Sequence, residues 1–178
     1  MRISAGMLTG VVLWLAADIA AATQGVTQEN LSFHGNLIEL PCTILDGDKS
    51  LQVHMGAINA RDLYSERSAA VPFSLHLEGC DTHVAGSVTA TFTGAEDAQL
   101  VGYLLPEGGS AAGIALGLAD GEGNALPLER PSKARALTSG ENVLSFVAWV
   151  EGEPEAIKQQ AIVPGDFTAT ATLTLNYQ

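Results

Sequence analysis

Apolar and polar residues alternate along most of this chain, and nowhere more regularly than at its end. In GDFTATATLTLNYQ (Gly165 to Gln178), Phe167, Ala169, Ala171, Leu173, Leu175 and Tyr177 form one set, and Thr168, Thr170, Thr172, Thr174 and Asn176 the other. A period of two predicts a strand with one dry face and one wet face. Chain ends usually fray, so a strand this regular at the terminus needs a partner to hold it. Shorter alternating runs precede it: LQVHM (Leu51, Val53, Met55), PFSLHLEGC (Phe73, Leu75, Leu77), SVTATFTG (Val88, Ala90, Phe92) and GIALGLADGEGN (Ile114, Leu116, Leu118). VLSFVAWV is apolar on both sides, the pattern of a central strand. Glycine and proline punctuate the runs, and only EPEAIKQQ (Glu153 to Gln160) reads as helix, one or two turns inside a connection. Short strands at this spacing predict an all-β sandwich or barrel in one domain, without internal repeats.

The first residues do not fit that pattern. Arg2, an apolar run from Met7 to Ala17 and the small residues Ala20-Ala21-Ala22 have the layout of a secretory signal peptide. The run is too short to span a bilayer, and Asp18 interrupts it. Cleavage after Ala22 is expected. Removing residues 1–22 from 178 leaves 156, enough for one domain with a real core.

Composition narrows the function classes. With 8 Lys+Arg against 20 Asp+Glu, the formal net charge is −12, which offers no footprint for nucleic acid or anionic lipid. Cys42 and Cys80 are the two cysteines. In an exported chain such a pair reads as one disulfide, closing a loop of 37 residues. Two cysteines cannot make a Cys-only zinc site, and His34, His54, His76 and His83 lack an i, i+4 spacing. No metal site or cofactor is expected.

Catalytic patterns are missing. GGSAAG (Gly108 to Gly113) has Ala112 where a nucleophile elbow needs glycine. DGEGNA (Asp120 to Ala125) is neither a phosphate fingerprint nor a calcium loop. The GxxxG of Gly113 and Gly117 lies in a strand-like segment, where membrane-helix pairing does not apply. Glu151, Glu153 and Glu155 could supply paired carboxylates for a hydrolase, but they read more simply as a solvated acidic loop. An enzyme is not expected.

Four of these segments, in order, carry a resemblance. FHGNLIELPCTI (Phe33 to Ile44) has a Phe-x-Gly followed by Pro-Cys; PFSLHLEGC brings the second cysteine; GIALGLADGEGN and VPGDFTATATLTLNYQ complete the series, with Tyr177 next to last. Together they resemble the pilin subunits of bacterial chaperone–usher fimbriae, most closely the minor, adaptor-type subunits of P pili.

The resemblance implies an incomplete immunoglobulin-like sandwich that lacks its seventh strand, so that the last strand borders an open groove. It implies three parts: a signal peptide (1–22), an N-terminal donor-strand extension (23–34) and a pilin domain (35–178). The partners it implies are a periplasmic pilus chaperone, an outer-membrane usher and neighbouring pilin subunits. The chaperone's strand, and later a neighbour's extension, would pair with Phe167 to Tyr177 by β-augmentation. Leu31 and Phe33 would be the inward anchors of this chain's own extension. One position departs: rod-forming relatives commonly have glycine four residues before the Phe, where Glu29 stands here. This favours a minor subunit over a repeated one. The expected place is the periplasm, then the cell-surface fimbrium. A major rod subunit and an assembly terminator are the alternatives within the family. From another class, the rival is a secreted carbohydrate-binding β-sandwich. Aromatics make up only 6%, and the two Trp lie in the signal (Trp14) and in a core-like strand (Trp149), which leaves little for a sugar platform.

Overall fold

The computed structural model describes residues 32, 34, 35, 37 and 39–178. The signal peptide, Glu29, Leu31 and Phe33 lie outside the described residues. The chain divides into two units, Met1–Leu37 and Ile38–Gln178. The fold below is that of the second.

Most of the alternating segments become strands where the sequence predicts them. Among the described residues nine strands are formed: β1 (Thr43–Ile44), β2 (Val71–Cys80), β3 (Ser87–Gly94), β4 (Gly108–Gly109), β5 (Ile114–Asp120), β6 (Arg135–Ala136), β7 (Gly140–Gly152), β8 (Phe167–Thr168) and β9 (Ala171–Tyr177). One short helix, α1 (Pro154–Gln159), sits in the acidic connection, with proline in its first turn and Gln160 in the left-handed region closing it. All strand pairs are antiparallel. One sheet has the order β1-β2-β7-β5, a second β6-β3-β9, and β4 pairs with β8. The fold is an immunoglobulin-like sandwich that lacks a strand beside β9.

The two sheets bury their inward residues against each other. Leu75 and Leu77 of β2, Val88, Ala90 and Phe92 of β3, Ile114, Leu116 and Leu118 of β5, and Leu144, Phe146, Ala148 and Val150 of β7 belong to one core. Phe92 and Phe146 meet edge to face at 5.2 Å, and Phe73 lies 5.4 Å from Phe146. Cys42 and Cys80 are bonded, tying the residue just before β1 to the end of β2. In the chain-entropy account such a closure contributes about 4 kcal/mol.

β7 is central, as its apolar run predicts, between β2 and β5. Trp149 is buried, yet it has the opposite parity to Leu144, Phe146, Ala148 and Val150 and stands on the outer face of the sheet. Arg67 lies 4.4 Å over its ring and Tyr103 meets it edge-on at 6.0 Å. Gly117, directly across on β5, leaves the space the indole occupies. That explains one glycine of the GxxxG: it accommodates an indole.

LQVHM departs from expectation. Val53 and Met55 are half-buried, but the segment joins no ladder, and residues 51–58 make no backbone hydrogen bond to another described residue. Alternation alone does not make a strand; backbone groups need a partner, and here none is supplied.

Candidate functional site

The terminal alternation resolves into two short strands with different partners. Phe167 and Thr168 pair with Gly109 and Gly108, whereas Ala171 to Tyr177 pair with Gly94 to Val88. Gly109 has φ +100°, and a side chain there would strike the backbone of Asp166, so the close approach requires glycine. Ala169 and Thr170 bridge the change of partner.

The register of β9 determines what it leaves unpaired. Ser87 and Gln178 exchange both backbone hydrogen bonds, each at 2.9 Å. In an antiparallel ladder such pairs alternate, so 89/176, 91/174 and 93/172 are also hydrogen-bonded pairs. The N–H and C=O groups of Ala171, Leu173, Leu175 and Tyr177 therefore point away from β3. No strand among the described residues meets them.

The same four positions have inward parity. Leu173 lies opposite Phe92, Leu175 opposite Ala90 and Tyr177 opposite Val88, in the pairs where side chains approach most closely. The β3 partners are buried, Phe92 only 5% exposed, while Leu173, Leu175 and Tyr177 are half-buried and Ala171 is exposed. Half-buried Phe167 and Ala169 continue the row, and their alternating neighbours Thr168, Thr170, Thr172, Thr174 and Asn176 are exposed. Burial raises the pKa of the Tyr177 phenol. One strand thus presents unpaired backbone and uncovered apolar side chains along one rim, a condition proteins avoid unless the edge is used.

A pocket of about 90 Å³ closes one end of this rim. Ile58 and Ala60 form one wall, Val163 and Phe167 the other, and buried Ile114 and Val150 contribute to its lining. The walls are joined by the Ile162 N–H donating to Tyr64 Oη at 3.1 Å. The terminal alternation marked the Phe167 wall but not the one formed by Ile58 and Ala60. Its only signal was the alternation of Val53 and Met55, continued after Gly56 by Ile58 and Ala60.

The expected solvated acidic loop is instead the end of β7 and the start of α1, where Glu151 and Glu153 are half-buried. Glu151 accepts from Tyr103 Oη (3.0 Å) and Trp149 Nε1 (3.3 Å), and Glu153 accepts from Gln99 Nε2 (2.5 Å). Burial, then neighbouring Asp97, raises the pKa of Glu153. Glu155 pairs with Lys158 at 2.7 Å, and its carboxyl is held below its ordinary value by that contact. No group of three metal-ligating side chains occurs among the described residues, and no described helix is long and apolar enough to cross a membrane.

The described residues form a sandwich with one open apolar edge beside β9, and comparison with known proteins gives the class. The family model described as fimbrial protein matches residues 31–178, so the chain belongs to the fimbrial protein family. It is 35% identical over 165 residues to the major MR/P fimbria protein of Proteus mirabilis, covering 92% of this chain and 91% of that protein. It is 34% identical over 179 residues to the fimbrial adapter PapK of Escherichia coli, covering 96% and 98%. The crystal structure of the P pilus rod subunit PapA superposes with a TM-score of 0.68 at 25% identity, over 78% of this chain and all of that one. The protein is a fimbrial subunit and not an enzyme.

Proposed function

We propose that this chain is a minor, adaptor-type subunit of an adhesive chaperone–usher fimbria, exported to the periplasm and joined to its neighbours by donor-strand exchange. The unpaired edge of β9, with Leu173, Leu175 and Tyr177 half-covered beneath it, carries the reading. A periplasmic chaperone's strand would occupy this edge first and a neighbouring subunit's extension would replace it, with hand-over at the outer-membrane usher. In turn residues 23–34 would enter a neighbour's groove, with Leu31 and Phe33 as apolar anchors. Glu29, in place of the family's glycine, supports a specialised position in the fibre. A carboxylate facing a neighbour's core is costly unless it reaches solvent or a partner.

Deleting Thr23 to Phe33 separates being held from holding. The truncated chain should still be purified with its chaperone, because no residue of the β9 edge is lost. It should form no SDS-resistant two-subunit complex with a chaperone-bound neighbour. Complex formation at the full-length rate would show that the extension is not a donor strand. The second reading, a major rod subunit, draws on the similarity to the major MR/P fimbria protein. Counting copies per fibre by quantitative mass spectrometry of sheared fimbriae decides between them.

A further inference from the structure

We infer that residues 130–136 bar strand addition at the second edge of the β6-β3-β9 sheet, so that the subunit accepts a strand beside β9 alone and the fibre grows unbranched. The inference rests on the groove reading for β9 and adds what keeps the opposite edge from acting likewise. β6 ends that sheet as β9 does, and no strand among the described residues lies beyond either. The Leu137 N–H donates to the Gly86 carbonyl and the Ser132 N–H to the Ala90 carbonyl, so the even-numbered residues along β3 face this side. Arg135, paired with Val88, therefore turns its backbone groups toward β3. The backbone groups of Ala134 and Ala136 point out of the sheet, and both residues are exposed. By hydrogen bonding alone this edge is as open as the other.

Its side chains and its register differ. Phe167 to Tyr177 contains no charged residue, proline or glycine, whereas RPSKARA (Arg130 to Ala136) carries Arg130, Lys133, Arg135 and Pro131. Pro131 stands opposite Thr91, whose own backbone groups face β9, so the N–H that proline lacks is one that would have pointed outward. Between that pair and Val88–Arg135, residues 132–134 face only residues 89 and 90, a bulge that breaks the spacing of the outward row. Lys133 stands in the bulge. Its Nζ donates to Asn124 Oδ1 at 3.0 Å, and Asn124 Nδ2 donates to Asp120 Oδ2 at 2.8 Å, which holds the ammonium at the edge. Arg135 has the parity of buried Val88 and lines a cleft of about 270 Å³ with Leu144 and Phe146. A strand laid along β6 would cover the mouth of that cleft and strip water from the guanidinium. A two-residue strand, a proline, a bulge, a lysine and an inward arginine are each means of blunting a sheet edge, and here they occur together.

The chain purified with its chaperone provides the test, because β9 is then occupied and β6 is the edge that remains. In sedimentation equilibrium the wild-type complex should keep the mass of one chain and one chaperone. Lys133→Val combined with Arg135→Val should self-associate at least about tenfold more tightly, since two cations no longer lose water in a strand pair. That variant moves the net charge further from zero than −12, so general repulsion opposes the change. Deleting Ala134, which removes the bulge, should act in the same direction. Lys133→Arg combined with Arg135→Lys keeps both charges and should behave as the wild type. Hydrogen exchange locates the contact: the Ala136 amide should exchange fast in the wild-type complex and slowly in the associated variants. If the valine variant and the deletion both stay one-to-one, or associate while the Ala136 amide remains fast, the barrier is overturned. The amides of Leu173 and Leu175 report the groove separately. Fast exchange there in the wild-type complex would refute β9 as the accepting edge, whereas the Ala136 amide decides the barrier.

Discussion

The strands β5 and β9 each lie at the rim of a sheet and each carry an alternating apolar row, yet only one of the two rims is finished. Beside β5, Leu104 exchanges backbone hydrogen bonds with Leu116 (both 2.9 Å), and the Leu126 N–H donates to the Leu118 carbonyl. The loops that supply Leu104 and Leu126 also bury those side chains, and Leu116 is left 8% exposed. Beside β9 no strand of the described residues pairs with Ala171, Leu173, Leu175 or Tyr177. The contrast shows that a rim is closed by what crosses it. Two passing loops suffice for β5, whereas no described segment does the same for β9.

The largest effect should come from charging the open rim. Leu173→Arg places an uncompensated cation against Phe92 and should cost about 3–5 kcal/mol. Thr172→Arg, on the exposed face one residue away, should cost within about 0.5 kcal/mol. Urea unfolding of the strand-complemented chain measures both, and equal costs would contradict the parity assigned to β9.

A smaller difference compares the rims directly. Leu116→Ala should destabilise by about 2–5 kcal/mol whether or not a strand is added, because its cover is internal. Leu175→Ala should cost less than that in the bare chain and approach the same value once a donor peptide is bound. If filling the groove left the Leu175→Ala cost unchanged, the rim would not be where the strand binds.

The gentlest test changes no residue. In the bare chain the amides of Thr172, Thr174 and Asn176, bonded to β3, should exchange with solvent slowly, and those of Ala171, Leu173, Leu175 and Tyr177 fast. A bound strand should slow the second set to the rate of the first. Hydrogen exchange read by NMR resolves the two sets; uniform protection in the bare chain would show the edge already paired.

Much of this was legible in the sequence because side-chain parity is local. The threonines of β9, the apolar run of β7 and the proline opening α1 each impose their structure on the segment that carries them. The resemblance to fimbrial pilins added what parity does not contain, namely that a strand is missing. The face that carries Trp149 was not legible, because a run apolar on both sides does not reveal which side holds the core. Only the partner strand, with Gly117 across from the indole, decides it.

By itself the sequence determined the all-β class, the terminal strand with its inward row, and the cysteine pair available for bridging. It could not determine that this strand changes partner at Ala169 and Thr170, nor that the segment from Val53 to Ile58 would join no ladder. Each of these depends on which backbone groups find partners across distances the chain does not encode locally. Hydrogen bonds and close packing are satisfied between segments, and an edge is open only in relation to everything that might have covered it.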